Sequence, residues 1–286
     1  MHYRSPITAS IAAWSLSLAL GCQAAKPTPF ERASCSTLVK AKQPLEPALK
    51  TVADLGFKYA DVMCLSWTPH VNVDALVKDF DTEAARVEKT LADNKLKVSN
   101  LTFDAIETKP FDEYKTRFTA VVKLAVRLRA PLINIMAPSA KSDWADQVAK
   151  LKVIHKIAAD HGIKLTLETH TGQLTEYPAD AEKICREVPG LGLTLDPSHY
   201  YAGPNQGKCF DSLYPYVMNT GFRAGGMKRE DIQMRWGEGP IDFTAIVRKL
   251  EAHGYRGYYV VEYLEGLGKA DSVESSRLFL EWIRGL

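Results

Sequence analysis

The strongest constraint in this chain is a rhythm: short apolar runs alternate with amphipathic helical stretches from residue 32 to the C-terminus. The runs are "RASCST" (32–37), "YADVMCLS" (59–66), "LKVSNLTFD" (96–104), "PLINIMAP" (131–138), "KLTLETH" (164–170), "GLTLDPSH" (192–199), "YVMNTGF" (216–222) and "YYVVEYL" (258–264). Between them, Leu76, Phe80, Ala84, Val87 and Leu91 recur at three- and four-residue steps, as do Phe118, Val121, Ala125 and Leu128, the spacing of a one-sided helix. Gly56, Gly162 and Gly254 each follow such a helix and precede a strand, where a left-handed residue ends the last turn. Eight strands alternating with helices over roughly 250 residues predict an α/β fold, a single (β/α)8 TIM barrel. The rival is a doubly wound open sheet, which carries a glycine-rich phosphate turn after its first strand; "ASCSTLVKAKQP" has none.

The N-terminus is of another kind. Arg4 precedes "ITASIAAWSLSLALGCQAA" (7–25), an uncharged stretch of the length of an export signal, with small residues from Gly21 to Ala25 for cleavage. "ALGC" ending at Cys22 also resembles a lipoprotein signal with two positions exchanged, which makes Cys22 a lipid attachment point and its lipid the chain's one link to a membrane. Residues 1–25 are therefore read as a removed signal peptide or lipoprotein signal and 26–286 as the barrel. The expected location is exported, periplasmic or lipid-anchored at the membrane surface; retention as an anchor is the competing reading. The remaining cysteines, Cys35, Cys64, Cys185 and Cys209, are scattered without a CxxC. They are better read as small buried thiols than as a zinc site. With 36 basic and 34 acidic residues well mixed, no stripe for a nucleic acid is present.

A barrel puts its chemistry at the C-terminal ends of its strands. Glu168 and His170 end the fifth strand on one face, Asp196 ends the sixth with His199 three residues on, and Glu262 ends the eighth. Carboxylates that converge on one mouth raise each other's pKa unless a cation lies among them. A divalent metal with oxygen ligands is the simplest solution, and pairing with arginine or separate solvation is the plainer one.

"LTLETH" (165–170), "LTLDPSHY" (193–200), "RWGEGPIDF" (235–243) and "YYVVEYLE" (258–265), taken in order, resemble the xylose-isomerase-like TIM-barrel superfamily of sugar isomerases and epimerases, which also includes endonuclease IV and inosose dehydratase. The resemblance covers nearly all of the chain after the signal and is strongest over 163–265. It implies one divalent metal, Mn, Mg or similar, on a Glu, an Asp, a His and a Glu after strands five to eight. By position these ligands are Glu168, Asp196 and Glu262, with His199 toward substrate or metal-bound water. The seventh strand departs: where relatives carry a pattern like "HVHLRD", this chain has "NTGFRAG" (219–225), so Asn219 and Gly221 replace the histidines while Arg223 keeps the basic residue. Either His170 or His199 moves into the vacancy, or Asn219 or water completes the shell, or no catalytic metal binds.

The resemblance implies proton transfer next to a carbonyl of a small-molecule carbohydrate, through an enediolate, with Glu168 and Glu262 as base and acid and His199 assisting. The alternatives are an exported lyase eliminating from keto-sugars or 3-keto-glycosides, and a sugar-binding barrel without catalysis. An endonuclease would need a fuller His/Asp/Glu set. Substrate contacts are expected from His170, Arg223, Asn219, Arg235, Trp67 and His70, the last two in a loop after strand two. Against these roles, Trp67 and His70 can pack on neighbouring loops, and Lys228 and Arg229 read as solvated charges. Asn100 and Asn134 read as a polar layer inside the barrel.

Overall fold

The computed structural model describes Met1 and residues 26–286; the expected export signal, with Cys22, lies outside the described residues. Eight parallel strands form one sheet: β1 (Ala33–Ser36), β2 (Tyr59–Cys64), β3 (Lys97–Phe103), β4 (Leu132–Ile135), β5 (Lys164–Glu168), β6 (Gly192–Leu195), β7 (Val217–Thr220) and β8 (Tyr259–Val261). The order is β7-β6-β5-β4-β3-β2-β1-β8. Beyond β7 a single bridge from Phe222 to Val261 closes the ring, with Phe222 N donating to Val260 O (2.7 Å) and Glu262 N to Phe222 O (2.9 Å). The chain is a (β/α)8 barrel, as the rhythm predicts.

The helices are α1 (Leu45–Asp54), α2 (Val73–Lys78), α3 (Phe80–Asp93), α4 (Phe111–Leu128), α5 (Trp144–Ala159), α6 (Pro178–Glu187), α7 (Pro197–Ala202), α8 (Phe243–Ala252) and α9 (Ser272–Arg284). The apolar series from Leu76 to Leu91 is two helices rather than one. Asp79 breaks it, because its carboxylate accepts from Thr82 N (3.3 Å) and Thr82 Oγ1 (2.8 Å) and so starts α3. Gly56, Gly162 and Gly254 all have positive φ (95°, 72° and 78°), as the helix-to-strand turns require.

Side chains alternate along these strands except where the register shifts, at Ala60/Asp61 against β3 and at Leu193/Thr194 against β7. Val62, Leu101, Ile133, Leu165, Leu167, Leu193 and Leu195 point outward into the main apolar core beneath the helices. Many inward positions are polar where barrels of this kind usually carry branched apolar residues. Ser34, Ser99, Asn100, Thr102 and Asp61 form one hydrogen-bonded chain, in which Asn100 Nδ2 (2.6 Å) and Thr102 Oγ1 (2.9 Å) donate to Asp61 Oδ1. Asn134, Thr166, Thr194 and Asn219 form a second, centred on a 2.8 Å contact between the two threonine hydroxyls. Burial is tolerable for most of these groups because they partner each other; Asn219 Oδ1 is buried without a partner among the described residues. Cys35, Cys64 and Cys185 are buried free thiols, whereas Cys209 is exposed. Among the described residues no helix is long and apolar enough to cross a membrane.

Candidate active site

A cavity of about 580 Å³ opens at the C-terminal ends of the strands, with Glu168, His170, His199, Arg223 and Glu262 among its lining residues. Local sequence explains how the polar set is held. Asp196 is the N-cap of α7 and Pro197 its first residue. Its Oδ1 accepts from Ser198 N (2.8 Å) and Ser198 Oγ (2.6 Å), so "DPSH" is a helix start that turns His199 back over the strand ends. Thr169 Oγ1 donates to Asp196 O (3.2 Å) and accepts from Asp196 N (2.9 Å), tying the ends of β5 and β6 together.

Arg223 occupies the centre. Its Nη2 donates to Asp196 Oδ2 (2.6 Å) and to His199 Nε2 (2.6 Å), and its Nε donates to Ser198 Oγ (3.0 Å). Among the described residues Nη1 makes no hydrogen bond, and the side chain lines the cavity. The convergence of carboxylates thus contains a fixed cation supplied by the chain itself. Burial opposes the Arg223 charge, but Asp196, Glu262 and Glu168 together hold its pKa above the usual value.

Burial is also the main force on the carboxylates. It pushes Glu168 up to about 8, reinforced by Asp196 and opposed by Arg223. It pushes Glu262 up to about 8 as well, reinforced by Glu168 and opposed by Arg223. Burial likewise raises Asp196 against the pull of Arg223 and Ser198. The two imidazoles go the other way: burial, with Arg223 adding to it, drives His170 down to about 4. Burial drives His199 well below its usual value. Both rings are neutral at pH 7, and their centroids lie 3.7 Å apart.

Glu168, His170 and His199 offer a carboxylate oxygen and two ring nitrogens within 4.8 Å of one another. His170 Nδ1 donates to Thr171 O (2.7 Å), which fixes the ring with Nε2 free, as a ligating histidine requires. His199 Nε2 accepts from Arg223, and its Nδ1 is buried without a partner. The set fits a divalent ion that accepts nitrogen and oxygen donors, although an ion and Arg223 would draw on the same His199 lone pair. Asp196 has both oxygens engaged, and Gly221 offers no ligand. A Cβ on Gly221 would stand 2.9 Å from Glu262 Oε2, so the space a seventh-strand histidine would need is used by the Glu262 carboxylate.

The remaining residues named from sequence fall in three places. Trp67 sits on the rim of the cavity, 57% exposed. Asn219 is buried below the floor, where its Nδ2 donates to Thr194 Oγ1 (3.4 Å). His70 and Arg235 are not among the residues that line the cavity. His70 is fully buried with Nε2 against Lys40 O (3.2 Å), in a loop that Arg86 Nη2 holds through His70 O. Arg235 lies on the surface 3.4 Å from Glu274, because its neighbour Trp236 turns inward onto Phe243 (4.5 Å) and Phe279 (4.9 Å). Two residues escaped the sequence reading: Asp61 lies inside the barrel beneath the site, and Asp104 lines the wall and accepts from Ser66 N (3.1 Å) and Ser66 Oγ (3.2 Å). Arg229, expected as a solvated charge, also lines the wall. Inward parity on β2 marks Asp61; a loop charge such as Arg229 gives no such signal.

The sequence profile of the family described as Xylose isomerase-like TIM barrel matches residues 49–284. Inosose dehydratase of Salmonella typhimurium is 25% identical over 140 residues, which is 42% of this chain and 46% of that protein. The chain thus matches about half the length of its curated relatives. A xylose isomerase-like TIM barrel protein from Mycobacterium smegmatis in complex with magnesium superposes with a TM-score of 0.70 at 17% identity, covering 88% of this chain and 95% of that one. The apo form of 3-keto-D-glucoside 4-epimerase from E. coli gives 0.67 at 15% identity, covering 89% and 99%. At these identities the solved structures establish a shared fold, and the profile match over most of the chain establishes kinship: the chain belongs to the xylose isomerase-like TIM-barrel family.

Proposed function

We propose that this barrel is a carbohydrate isomerase or epimerase that moves a proton on the carbon next to a carbonyl. The observation that carries the reading is the pair Glu168 and Glu262, two buried carboxyls both pushed up to about 8, with Arg223 lining the same cavity. Groups with pKa near neutrality are the ones that exchange protons efficiently at that pH. Their strands, β5 and β8, stand three apart around the closed ring, so a sugar lying across the floor meets a carboxyl at each side. The ionised member of the pair takes the proton and the protonated member returns one. Arg223 Nη1 donates to the oxygen on which the enediolate charge develops. A divalent ion, magnesium, manganese or similar, would be held by Glu168, His170 and His199 and would polarise the substrate carbonyl as a Lewis acid.

Elimination of a substituent from the same enediolate is the second reading. It is favoured by the similarity to inosose dehydratase and by the export expected from residues 1–25, which would present the site with oxidised glycosides rather than sugar phosphates. The test is a screen of free ketoses, keto-sugars and 3-keto-glycosides with and without EDTA. An isomerase or epimerase gives a product of unchanged mass, and a lyase gives two products or an unsaturated sugar. Loss of turnover in EDTA, restored by Mn²⁺ or Mg²⁺, supports the ion. A protein that binds sugars but converts none is a binding barrel, and the enzyme reading fails.

A further inference from the structure

The walls of the cavity are unlike its floor. Above Glu168, His199, Arg223 and Glu262, much of the lining is Leu38, Leu65, Met136, Ile232, Leu264 and Leu267, with Trp67 on the rim; Asp104 and Arg229 are the charged residues on the wall. Leu38, Leu65 and Leu264 belong to a small apolar cluster with Ala41 and Met63, separate from the main core. Met136, Ile232, Leu264 and Leu267 are only partly covered by the protein. The wall is also fixed. Gln233 Nε2 donates to Leu264 O (3.0 Å) and Leu267 O (2.8 Å), and Gln233 Oε1 accepts from Leu264 N (2.8 Å). The β7 and β8 loops are therefore clasped together with their leucines toward the cavity.

A single hexose is polar on every edge and small for a space of about 580 Å³, a size within the range of about 300–1,000 Å³ that takes drug-sized ligands. A second sugar in the upper half would set hydroxyls against Leu264, Leu267 and Ile232, where each lost water contact goes unreplaced. An apolar group there would instead remove both its own surface and that of the wall from water.

Resting on the reading of the floor as a proton-transfer site for keto-sugars, we propose that the substrate is a glycoside with an aromatic or otherwise apolar aglycone. The sugar ring lies on Glu168, Arg223 and Glu262, and the aglycone lies against Met136, Ile232, Leu264, Leu267 and Trp67. The aglycone is the group that the walls select.

The test compares phenyl, methyl and glucosyl 3-keto-β-D-glucopyranosides on the full-length protein, by Kd from calorimetry and by turnover. The phenyl glycoside is expected to bind about tenfold to a hundredfold tighter than the methyl one, the gain from burying one aromatic ring. The phenyl-to-methyl ratio of Kd is expected to fall toward one in Ile232→Asn and Met136→Asn, a ratio that normalises for any general weakening of the variants. Equal Kd for phenyl and methyl glycosides, with the methyl glycoside still turned over, overturns the aglycone proposal and leaves the sugar reading standing. Tightest binding by the glucosyl derivative does the same and makes the wall a second sugar subsite. No binding or turnover of any of the three overturns both.

Discussion

Gly221 and Glu262 meet at the end of the seventh strand, where the carboxylate fills the space a side chain on residue 221 would take. A Cβ at 221 would stand 2.9 Å from Glu262 Oε2, so Gly221→Ala must push the carboxyl end of Glu262 aside. Steady-state kinetics should show kcat about tenfold to a hundredfold lower with KM little changed, since displacements under an ångström at a reacting group have effects of that order. Arg223→Met removes the cation from Asp196, which is fully buried. Leaving a buried charge uncompensated costs about 3–5 kcal/mol, to be read from denaturant unfolding. Glu168, Asp196 and Glu262 could be read from sequence because strand parity and strand ends mark them without any structure. His70 and Arg235 could not be placed that way. The decisive contacts are made with residues distant in sequence: Lys40 O for the first, and for the second Phe279, onto which the adjacent Trp236 turns.

The eight strands were recoverable as elements because each is a short apolar run between helices of a different period. Their ends were less so: "GLTLDPSH" contains a strand, an N-cap and the first half of α7, since apolar content does not change where Asp196 caps the helix. "RWGEGPIDF" reads as a site motif but works as packing. Trp236 is 5% exposed among Phe243, Phe279 and Trp282. A Cβ on Gly239, whose φ is +81°, would meet Gly225 O at 2.4 Å. Trp236→Ala should destabilise by about 3–5 kcal/mol, the usual loss for a buried large aromatic, measured as a lower midpoint in urea.

The charge balance of the site acts on the whole molecule. Glu168 and Glu262 are held near 8 in the fold against an ordinary 4.5, so the native state keeps protons that the unfolded chain releases. Their contribution is complete below pH 4.5 and is lost as pH rises to about 8. His170, lowered from 6.5 to about 4, works oppositely, because the unfolded chain takes up its proton on acidification; its contribution grows from pH 4 to 6.5. Between pH 4.5 and 6.5 the His170 imidazole offsets part of the loss from the two carboxyls. Between pH 6.5 and 8 the carboxyls act alone, and the Tm of the EDTA-treated protein should fall across that interval. In Glu168→Gln the fall should be smaller. The fold class was apparent in the sequence because alternation is a property of every element. The distribution of polarity in the cavity was not, because its walls come from the segments after six different strands.

The central proposal is that Glu168 and Glu262 exchange a proton with a carbon next to a carbonyl. The most direct measurement is deuterium incorporation from D2O into a keto-sugar or 3-keto-glycoside that the protein binds, followed by mass spectrometry. Wild-type protein should exchange one hydrogen on that carbon, and Glu168→Gln and Glu262→Gln should each lower the rate by about a hundredfold or more, the scale of general acid–base contributions. A bound keto-sugar that takes up no deuterium from the wild-type protein, or exchange at the same rate in both variants, would contradict it.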